Sequence, residues 1–181
     1  NSPPLSAPPA SAVPSPHDSL RTNLADYAWP TDAGRIVPPT FGEFRRTHFH
    51  AGIDVSTGDR TGYRVLASRA GHVSRIRIDA NGYGKMLLIR HPDGYTTLYA
   101  HLRGFADRIE RKARAEQLRL RRYPVEISCS PADFPVRKGE LIAFTGETGS
   151  GSEHLHFEIR DENMNGVNPA LAPRLRHPDH I

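Results

Sequence analysis

Three groups of histidines in this chain have the residue types and spacings that bind metal ions. His50 is followed four residues later by Asp54, and His154 and His156 flank a single leucine. His101 closes an alternating run and offers a further imidazole. Imidazole and carboxylate are ligands that a zinc ion prefers, and three protein ligands with an open fourth position are typical of a catalytic zinc site. Together these groups predict a catalytic metal centre.

The spacing of the last group fits an extended strand from Glu153 to Ile159. Alternate side chains of a strand share a face. The polar residues of this segment therefore lie on one face and the apolar residues on the other: His154, His156 and Glu158 against Leu155, Phe157 and Ile159. If the segment around His50 is also extended, His50 and Asp54 converge in the same way, although Gly52 can bend it.

Each fragment also has a simpler interpretation. A His-x-His pair is more often two exposed or hydrogen-bonded imidazoles than a metal site. His48 forms a second such pair with His50, but Gly52 stands where its acidic partner would be, so His48 is the less favoured ligand. The remaining histidines are expected to be solvated (His17, His177, His180) or packed beside strands (His72, His91).

Eight motif segments from about Trp29 to Leu171 extend the pattern. They are Phe41-Gly42, His50 to Val55, Asn81 to Gly84, Gly94 to Leu102, Val136 to Glu140, Thr145-Gly146, His154 to Glu158 and Asn168-Pro169. With these residues the chain resembles the lysostaphin/LytM-type zinc metallopeptidases, which cut peptidoglycan cross-links.

The resemblance implies a role for each histidine group. It implies that His50, Asp54 and His156 bind Zn²⁺, and that His101 and His154 flank the water and the scissile carbonyl as catalytic residues. The division of roles between the last two stays open. The implied activity is that of a zinc metalloendopeptidase that hydrolyses peptide stems of peptidoglycan with a metal-activated water, in the periplasm or the extracellular cell envelope.

Two features depart from the family pattern. Glu153 stands before His154, where relatives often carry a small residue or proline. About thirty residues between Leu102 and Val136 exceed the shortest family members. Because loops between motif strands often carry specificity, we expect this insertion, residues 104–135, to form a rim of the substrate groove and not part of the metal site.

Turn residues and alternating segments predict a mainly β fold, a compact antiparallel sheet with a groove that holds the metal site. The expected strands are Arg35–Val37, His50–Val55, Arg64–Leu66, Gly71–Ile78, Lys85–His91, Tyr95–His101, Pro124–Ser128, Glu140–Thr145 and His154–Arg160. One inserted helix is expected over Gly104–Arg122, since Phe105, Ile109 and Ala113 recur every four residues.

Composition divides the chain into three parts. Residues 1–27 are expected to be a disordered tether, because the first 17 contain six prolines together with serine and alanine. The resemblance implies that residues 28–172 form the metallopeptidase domain, with the insertion 104–135, and residues 173–181 are expected to be a polar tail or the start of a truncated region. The single cysteine, Cys129, leaves no partner for an internal disulfide.

Charge excludes some partners. The net charge of the 181-residue chain is only +4, and its basic residues lack interleaved aromatic residues, so a nucleic-acid role is not expected. No apolar run is long enough to span a membrane. Residues 107–122 contain seven Lys or Arg against three Asp or Glu, which is typical of a solvated helix face and alternatively attracts anionic wall polymer.

Two other function classes compete with the enzyme. The first is a non-catalytic module that binds the cell wall and activates a separate hydrolase. The resemblance implies that such relatives typically lack zinc ligands, whereas every ligand is present here. The second is a metal-storage protein, which would carry clustered histidine tracts instead of dispersed single positions.

Overall fold

The structure, a computed structural model, describes residues 24–36, 41–45 and 48–175. Within these residues the chain is mainly antiparallel β-structure, as the sequence predicts. Its strands are β1 (Phe44–Arg45), β2 (His48–Phe49), β3 (Ile53–Ser56), β4 (Arg64–Leu66), β5 (Gly71–Ile78), β6 (Lys85–Arg90), β7 (Thr96–Ala100), β8 (Leu102–Phe105), β9 (Val125–Ser128), β10 (Pro135–Val136), β11 (Leu141–Thr145), β12 (His154–Arg160) and β13 (Gly166–Val167). Helix α1 is Asp107–Leu120, and two short 3-10 helices cover Pro169–Leu171 and Pro173–Leu175.

A large sheet carries the His-x-His pair of His154 and His156. Its strand order is β10-β5-β6-β7-β12-β13, with β3 also paired to β12 and β9 also paired to β5. A smaller sheet has the order β4-β11-β8, and β1 and β2 form a separate hairpin. In the large sheet His156 lies opposite Asp54 of β3 and opposite Ala100 of β7. Strand β12 therefore places the His-x-His pair between two other motif strands.

The alternation predicted for β12 is confirmed. Leu155, Phe157 and Ile159 are fully buried in the main hydrophobic cluster, and Tyr99 of the neighbouring strand packs on Phe157 with ring centroids 5.3 Å apart. Burying apolar side chains of this size stabilises a fold by about 1.5–3 kcal/mol each. The apolar face of β12 is thus anchored in the core, and its polar face is held in a fixed position.

The inserted helix is shorter than expected. Residues 102–105 continue from the histidine strand as β8 and pair with β11, so the helix begins only at Asp107. It ends at Leu120 because Arg121 takes the left-handed conformation, with φ of 51°. Ile109 and Ala113 are buried, as their four-residue spacing predicts.

Two strand predictions differ from the structure by more than a residue at one end. Arg35 and Ile36 form no strand, and Val37 lies outside the described residues. The strand expected from His50 begins only at Ile53, because the chain bends at Gly52 before it pairs with β12.

The packed part of the chain extends beyond the expected domain limits. Leu24 and Tyr27 were expected in the tether, but both are fully buried in the core. Leu175 lies in the expected polar tail and is also buried. The remainder of both terminal segments, residues 1–23 and 176–181, falls outside the described residues, and the tether prediction there is untested.

The insertion is built onto the edge of the sheet that lies away from β12. Strand β9 pairs with β5, and α1 contacts β8 and β9. Between β5 and β12 lie β6 and β7. Among the described residues, no helix is long and apolar enough to cross a membrane.

Candidate metal centre

Three ligand atoms of the predicted site meet at one point. His50 Nε2 lies 2.9 Å from His156 Nδ1 and 3.1 Å from Asp54 Oδ1, and His156 Nδ1 lies 2.9 Å from Asp54 Oδ1. Ligand atoms about 2.0–2.1 Å from a tetrahedral zinc ion are roughly 3.3 Å apart. The two imidazole nitrogens and the carboxylate oxygen therefore have separations close to those of three ligand atoms around one tetrahedral zinc ion.

The β3–β12 pairing produces this convergence. Asp54 and His156 lie directly opposite each other on paired antiparallel strands, so their side chains share a face. His50 reaches the same face from the chain before β3. A Cβ atom at Gly52 would overlap the Phe157 carbonyl oxygen and come within 2.7 Å of Glu158 Cγ. Glycine at position 52 thus allows the His50 segment to lie against β12.

The hydrogen bond behind His156 fixes its tautomer. Nε2 of His156 lies 2.8 Å from Oε1 of Glu158, a buried carboxylate that only accepts, so Nε2 carries the proton. In the neutral ring Nδ1 is then an unprotonated lone pair, and it faces Oδ1 of Asp54, which is another acceptor. Two acceptors at this distance need a cation between them. In the metal-free protein a proton on Nδ1 meets that need, because the hydrogen bonds to Asp54 and Glu158 outweigh burial and raise the pKa of His156. A bound metal ion would take the place of that proton.

Glu158 belongs to a buried polar network. It also accepts hydrogen bonds from Tyr83 Oη at 2.6 Å and from Arg160 Nε at 2.6 Å. Burial disfavours its charge, but the hydrogen bonds from His156 and Arg160 outweigh burial and lower the pKa of Glu158 to about 2. Glu158 is therefore ionised at neutral pH and holds His156 in place.

Asp54 is held at both oxygens. Oδ1 faces the two imidazoles, and Oδ2 accepts from Arg45 at 2.8 Å. Burial opposes ionisation of Asp54, yet hydrogen bonds from His156 and His50 lower its pKa far below the usual range. Because Arg45 occupies Oδ2, Asp54 presents one oxygen to the centre.

His101 and His154 stand beside the triad with their rings 4.6 Å apart. Nδ1 of His101 donates to the Thr148 carbonyl at 2.9 Å, and Nδ1 of His154 donates to the Ser152 carbonyl at 3.0 Å. Nε2 of each neutral ring is therefore unprotonated, and Nε2 of His154 lies 3.6 Å from Asp54 Oδ1. Burial lowers the pKa of His101 to about 4 and also lowers the pKa of His154. Both rings are neutral at pH 7 and can take a proton.

His101 has an unusual backbone. Its φ is 58°, the left-handed region that non-glycine residues seldom adopt, and its N–H donates to the Tyr83 carbonyl at 3.0 Å. The expected strand Tyr95–His101 accordingly ends at Ala100. Such a conformation persists only where the surrounding structure holds it, and it is often found at functional sites.

An open cavity of about 430 Å³ adjoins the triad. Its lining residues are Arg45, His48, His50, Ala51, Gly82, Tyr83, His101 and His156. His48 borders this cavity but is not among the three residues whose ligand atoms cluster. The insertion contributes no residue to this lining.

Sequence reasoning missed several residues that support the site. Glu158 lies two positions beyond His156 on the same strand face, so the alternation already contained the signal for it. Arg160 ends the same strand face, so the alternation contained its signal as well. Tyr83 and Arg45 come from other parts of the chain, and only the folded chain brings them to the site.

The sequence is similar to one protein family and to two kinds of relative, an endopeptidase and an activator. Residues 48–117 match Peptidase family M23. The chain is 34% identical over 134 residues to the DD-carboxypeptidase/endopeptidase Mpg of Neisseria meningitidis serogroup B, an alignment that covers 72% of this chain and 25% of the relative. It is 31% identical over 148 residues to the murein hydrolase activator NlpD of Escherichia coli, covering 82% of this chain and 31% of the relative. The chain thus spans about a quarter to a third of these relatives' length.

Solved structures share the fold. A putative glycyl-glycine endopeptidase lytM from Ruminococcus gnavus superposes with a TM-score of 0.58 at 21% identity, covering 87% of this chain and 64% of that one. The catalytic domain of lysostaphin from Staphylococcus simulans gives 0.55 at 19% identity, covering 87% and 98%. A zinc-containing peptidase from Vibrio cholerae gives 0.56 at 24% identity, covering 80% and 39%. The family match and the sequence relatives show that the chain belongs to Peptidase family M23, and these structures show that it has the fold of lysostaphin/LytM-type members.

Proposed function

We propose that this chain is a zinc-dependent endopeptidase that hydrolyses peptide cross-links of bacterial peptidoglycan. One observation carries the proposal: two neutral imidazoles, those of His101 and His154, stand directly beside a three-atom ligand set that adjoins an open cavity. A binding module has no use for the two imidazoles. A hydrolase needs both the ligand set and a proton acceptor.

His50, Asp54 and His156 would hold the ion. Two imidazoles and one carboxylate are a donor set suited to zinc, and three protein ligands leave a position for a reactant. When bound, Zn²⁺ supplies a Lewis acid that acidifies water and polarises a carbonyl group. The Glu158 and Arg45 hydrogen bonds keep His156 and Asp54 aimed at the ion.

His101 and His154 would carry the proton. Each ring is fixed through Nδ1 by a backbone carbonyl, so only Nε2 can exchange a proton with the reactants. One ring takes a proton from the attacking water at Nε2. Once protonated, that nitrogen can donate to the leaving amine or to the oxyanion. We assign both residues to this work without dividing it between them.

Two relatives support the proposed substrate and location. One is named an endopeptidase and the other an activator of murein hydrolases, which together favour peptide stems of peptidoglycan as the substrate. Such a substrate would be met in the periplasm or the extracellular cell envelope. We propose both on this ground.

The similarity to the activator NlpD favours a second candidate function, a wall-binding module that stimulates a separate hydrolase. The two functions differ in what they require of the site. An activator does not hydrolyse a bond at this site, so alanine substitution of His101 or His154 would leave its stimulation of the other hydrolase intact.

Six alanine variants test the proposal, with zinc content by mass spectrometry and hydrolysis of defined cross-linked muropeptides as readouts. Substitution of a proposed ligand, His50, Asp54 or His156, should abolish both zinc binding and activity. Substitution of a proposed proton carrier, His101 or His154, should leave the zinc content unchanged and lower the hydrolysis rate about a hundredfold or more. His48→Ala should resemble the wild type. If His154→Ala loses zinc while His156→Ala keeps it, the assignment within the His-x-His pair is reversed.

A further inference from the structure

A second cavity of about 480 Å³ lies beyond His101, outside the metal centre. Its lining residues are Gly62, Lys85, Arg103, Gly104, Phe105, Glu110, Arg114 and Phe144. The residues come from the small sheet, from the chain just before β4, from the start of β6 and from α1, so the inserted segment contributes one wall. We call this space the basic cavity.

The basic cavity has an excess of positive charge. Lys85, Arg103 and Arg114 line it together with a single carboxylate, Glu110. That carboxylate is already engaged, since it accepts from Arg114 Nε at 3.1 Å and from the backbone N–H of Phe105 at 3.0 Å. The cavity therefore has cationic groups without an equal number of anions.

Arg103 is the cation with unused donors. Within the described part of the chain its guanidinium has no ion pair or side-chain hydrogen bond, and Lys85 Nζ is engaged only with the Arg103 carbonyl, at 3.0 Å. Arg45 in the metal cavity differs, because it pairs with Glu43 at 3.1 Å and with Asp54 at 2.8 Å. A planar guanidinium with free N–H groups suits a carboxylate, which it can bind through two parallel hydrogen bonds.

The cavity walls combine this charge with apolar surface. Phe105 is buried beneath the cavity, and Phe144 is half-buried beside it. At Gly62 a Cβ atom would lie 3.4 Å from a terminal nitrogen of Arg103, so the absent side chain leaves room for the guanidinium. Apolar walls with a few polar groups that fix orientation are typical of small-ligand sites.

Thr148 connects the basic cavity to the catalytic residues. Its carbonyl accepts from Nδ1 of His101 at 2.9 Å, and its hydroxyl accepts from the backbone N–H of Lys85 at 2.9 Å. That hydroxyl also donates to the Leu102 carbonyl at 2.8 Å. Arg103 follows two residues after His101. A substrate held at the metal centre would thus have the basic cavity next to it on the His101 side.

We propose that the basic cavity is a subsite that binds a carboxylate group of the substrate peptide beside the bond that is cleaved. The inference rests on the proposed function, whose substrate is a peptide stem. It assigns Arg103 as the main contact and Lys85 and Arg114 as supporting charges. It also gives the insertion a role in substrate choice, because α1 supplies Arg114.

The test compares two muropeptides that differ only in whether their free carboxylates are amidated. Their dissociation constants are measured by calorimetry on zinc-loaded protein carrying His154→Ala, which slows cleavage. Adding Arg103→Ala should weaken binding of the free-carboxylate peptide roughly tenfold, the size of one charge-assisted hydrogen bond, and leave the amidated peptide within about twofold. Arg103→Lys should keep most of the preference. Arg111→Ala, an exposed α1 position outside the cavity lining, should change neither constant.

Equal weakening of both peptides by Arg103→Ala, or no change in either, would overturn the subsite. A matching loss of preference in Arg111→Ala would also overturn it, since general attraction to the basic helix would then explain the binding. The calorimetric comparison requires no turnover. An inactive wild-type enzyme would therefore count against the proposed function, whereas the binding result would still decide the subsite.

Discussion

Glu158→Gln is the change that most directly tests how the fold prepares the metal centre. The glutamate is fully buried and accepts hydrogen bonds from His156, Tyr83 and Arg160. Glutamine keeps the shape of the side chain but removes the charge and turns one acceptor oxygen into a donor. Either His156 or Arg160 then faces an N–H group where it previously met an oxygen.

The magnitude follows from these contacts. Loss of a hydrogen-bond partner behind a metal-bound histidine typically lowers metal affinity ten- to hundredfold, and we expect a zinc dissociation constant raised by about that factor. Breaking a buried charge pair costs about 3–5 kcal/mol. Arg160 retains 22% exposure of its side chain, so water can replace part of the lost contact, and we expect about 2–3 kcal/mol of lost unfolding free energy.

Competition with a chelator of known affinity measures the zinc dissociation constant, and urea denaturation of the metal-free protein measures stability. Glu126→Gln is the matched control, because this β9 glutamate is half-exposed and pairs with Arg75 at 3.0 Å on the surface. Glu126→Gln should leave the zinc dissociation constant unchanged and should alter the unfolding free energy by no more than the small contribution of a surface ion pair. Wild-type zinc affinity in Glu158→Gln would refute the argument that this carboxylate orients His156.

Three further predictions concern stability. Burial lowers the pKa of His101 to about 4, below the usual histidine value of 6.5, so between these values the unfolded chain binds a proton that the folded chain does not. The unfolding free energy of the metal-free protein should therefore fall as pH drops from 6.5 to 4, by up to about 3 kcal/mol, and His101→Gln should flatten that slope in urea denaturation. Leu24→Ala removes a fully buried side chain and should cost about 3 kcal/mol, whereas Leu118→Ala at a 78% exposed site should cost less than about 0.5 kcal/mol; equal costs would place Leu24 outside the core. Gly52→Ala should lower both the melting temperature and the zinc affinity, because the added Cβ atom overlaps β12. Gly104→Ala is the control, since a Cβ atom there meets only an ordinary contact at 3.6 Å. Similar melting temperatures of the two variants would contradict this argument.

Most residues of the candidate site could be predicted from the sequence. Two-residue alternation predicted the strand His154–Arg160 and its buried apolar face, and pairing with β3 then brought Asp54 opposite His156. The i, i+4 spacing predicted that His50 and Asp54 converge, and their side chains do lie 3.1 Å apart. They meet by another route than a continuous strand, because His50 precedes β3 and the chain bends at Gly52.

Other features depended on long-range contacts that local patterns do not encode. Leu24 and Tyr27 follow a proline-rich segment, and only their packing against the distant sheet identifies them as core residues. The expected helix began too early because Phe105, the first residue of its apolar stripe, is buried as part of β8. The left-handed backbone of His101 likewise depends on its N–H reaching the Tyr83 carbonyl, an interaction between sequence positions eighteen residues apart.

The central claim is that the chain itself hydrolyses a peptide bond. The most direct measurement follows the release of peptide product from a purified cross-linked muropeptide by zinc-loaded wild-type protein and by His154→Ala, with no other hydrolase present. We expect product from the wild type, loss of product when a chelator removes the zinc, and a rate at least about a hundredfold lower in His154→Ala despite full zinc content. No product from fully zinc-loaded wild type, together with equal stimulation of an added wall hydrolase by both proteins, would contradict the claim and identify the chain as an activator.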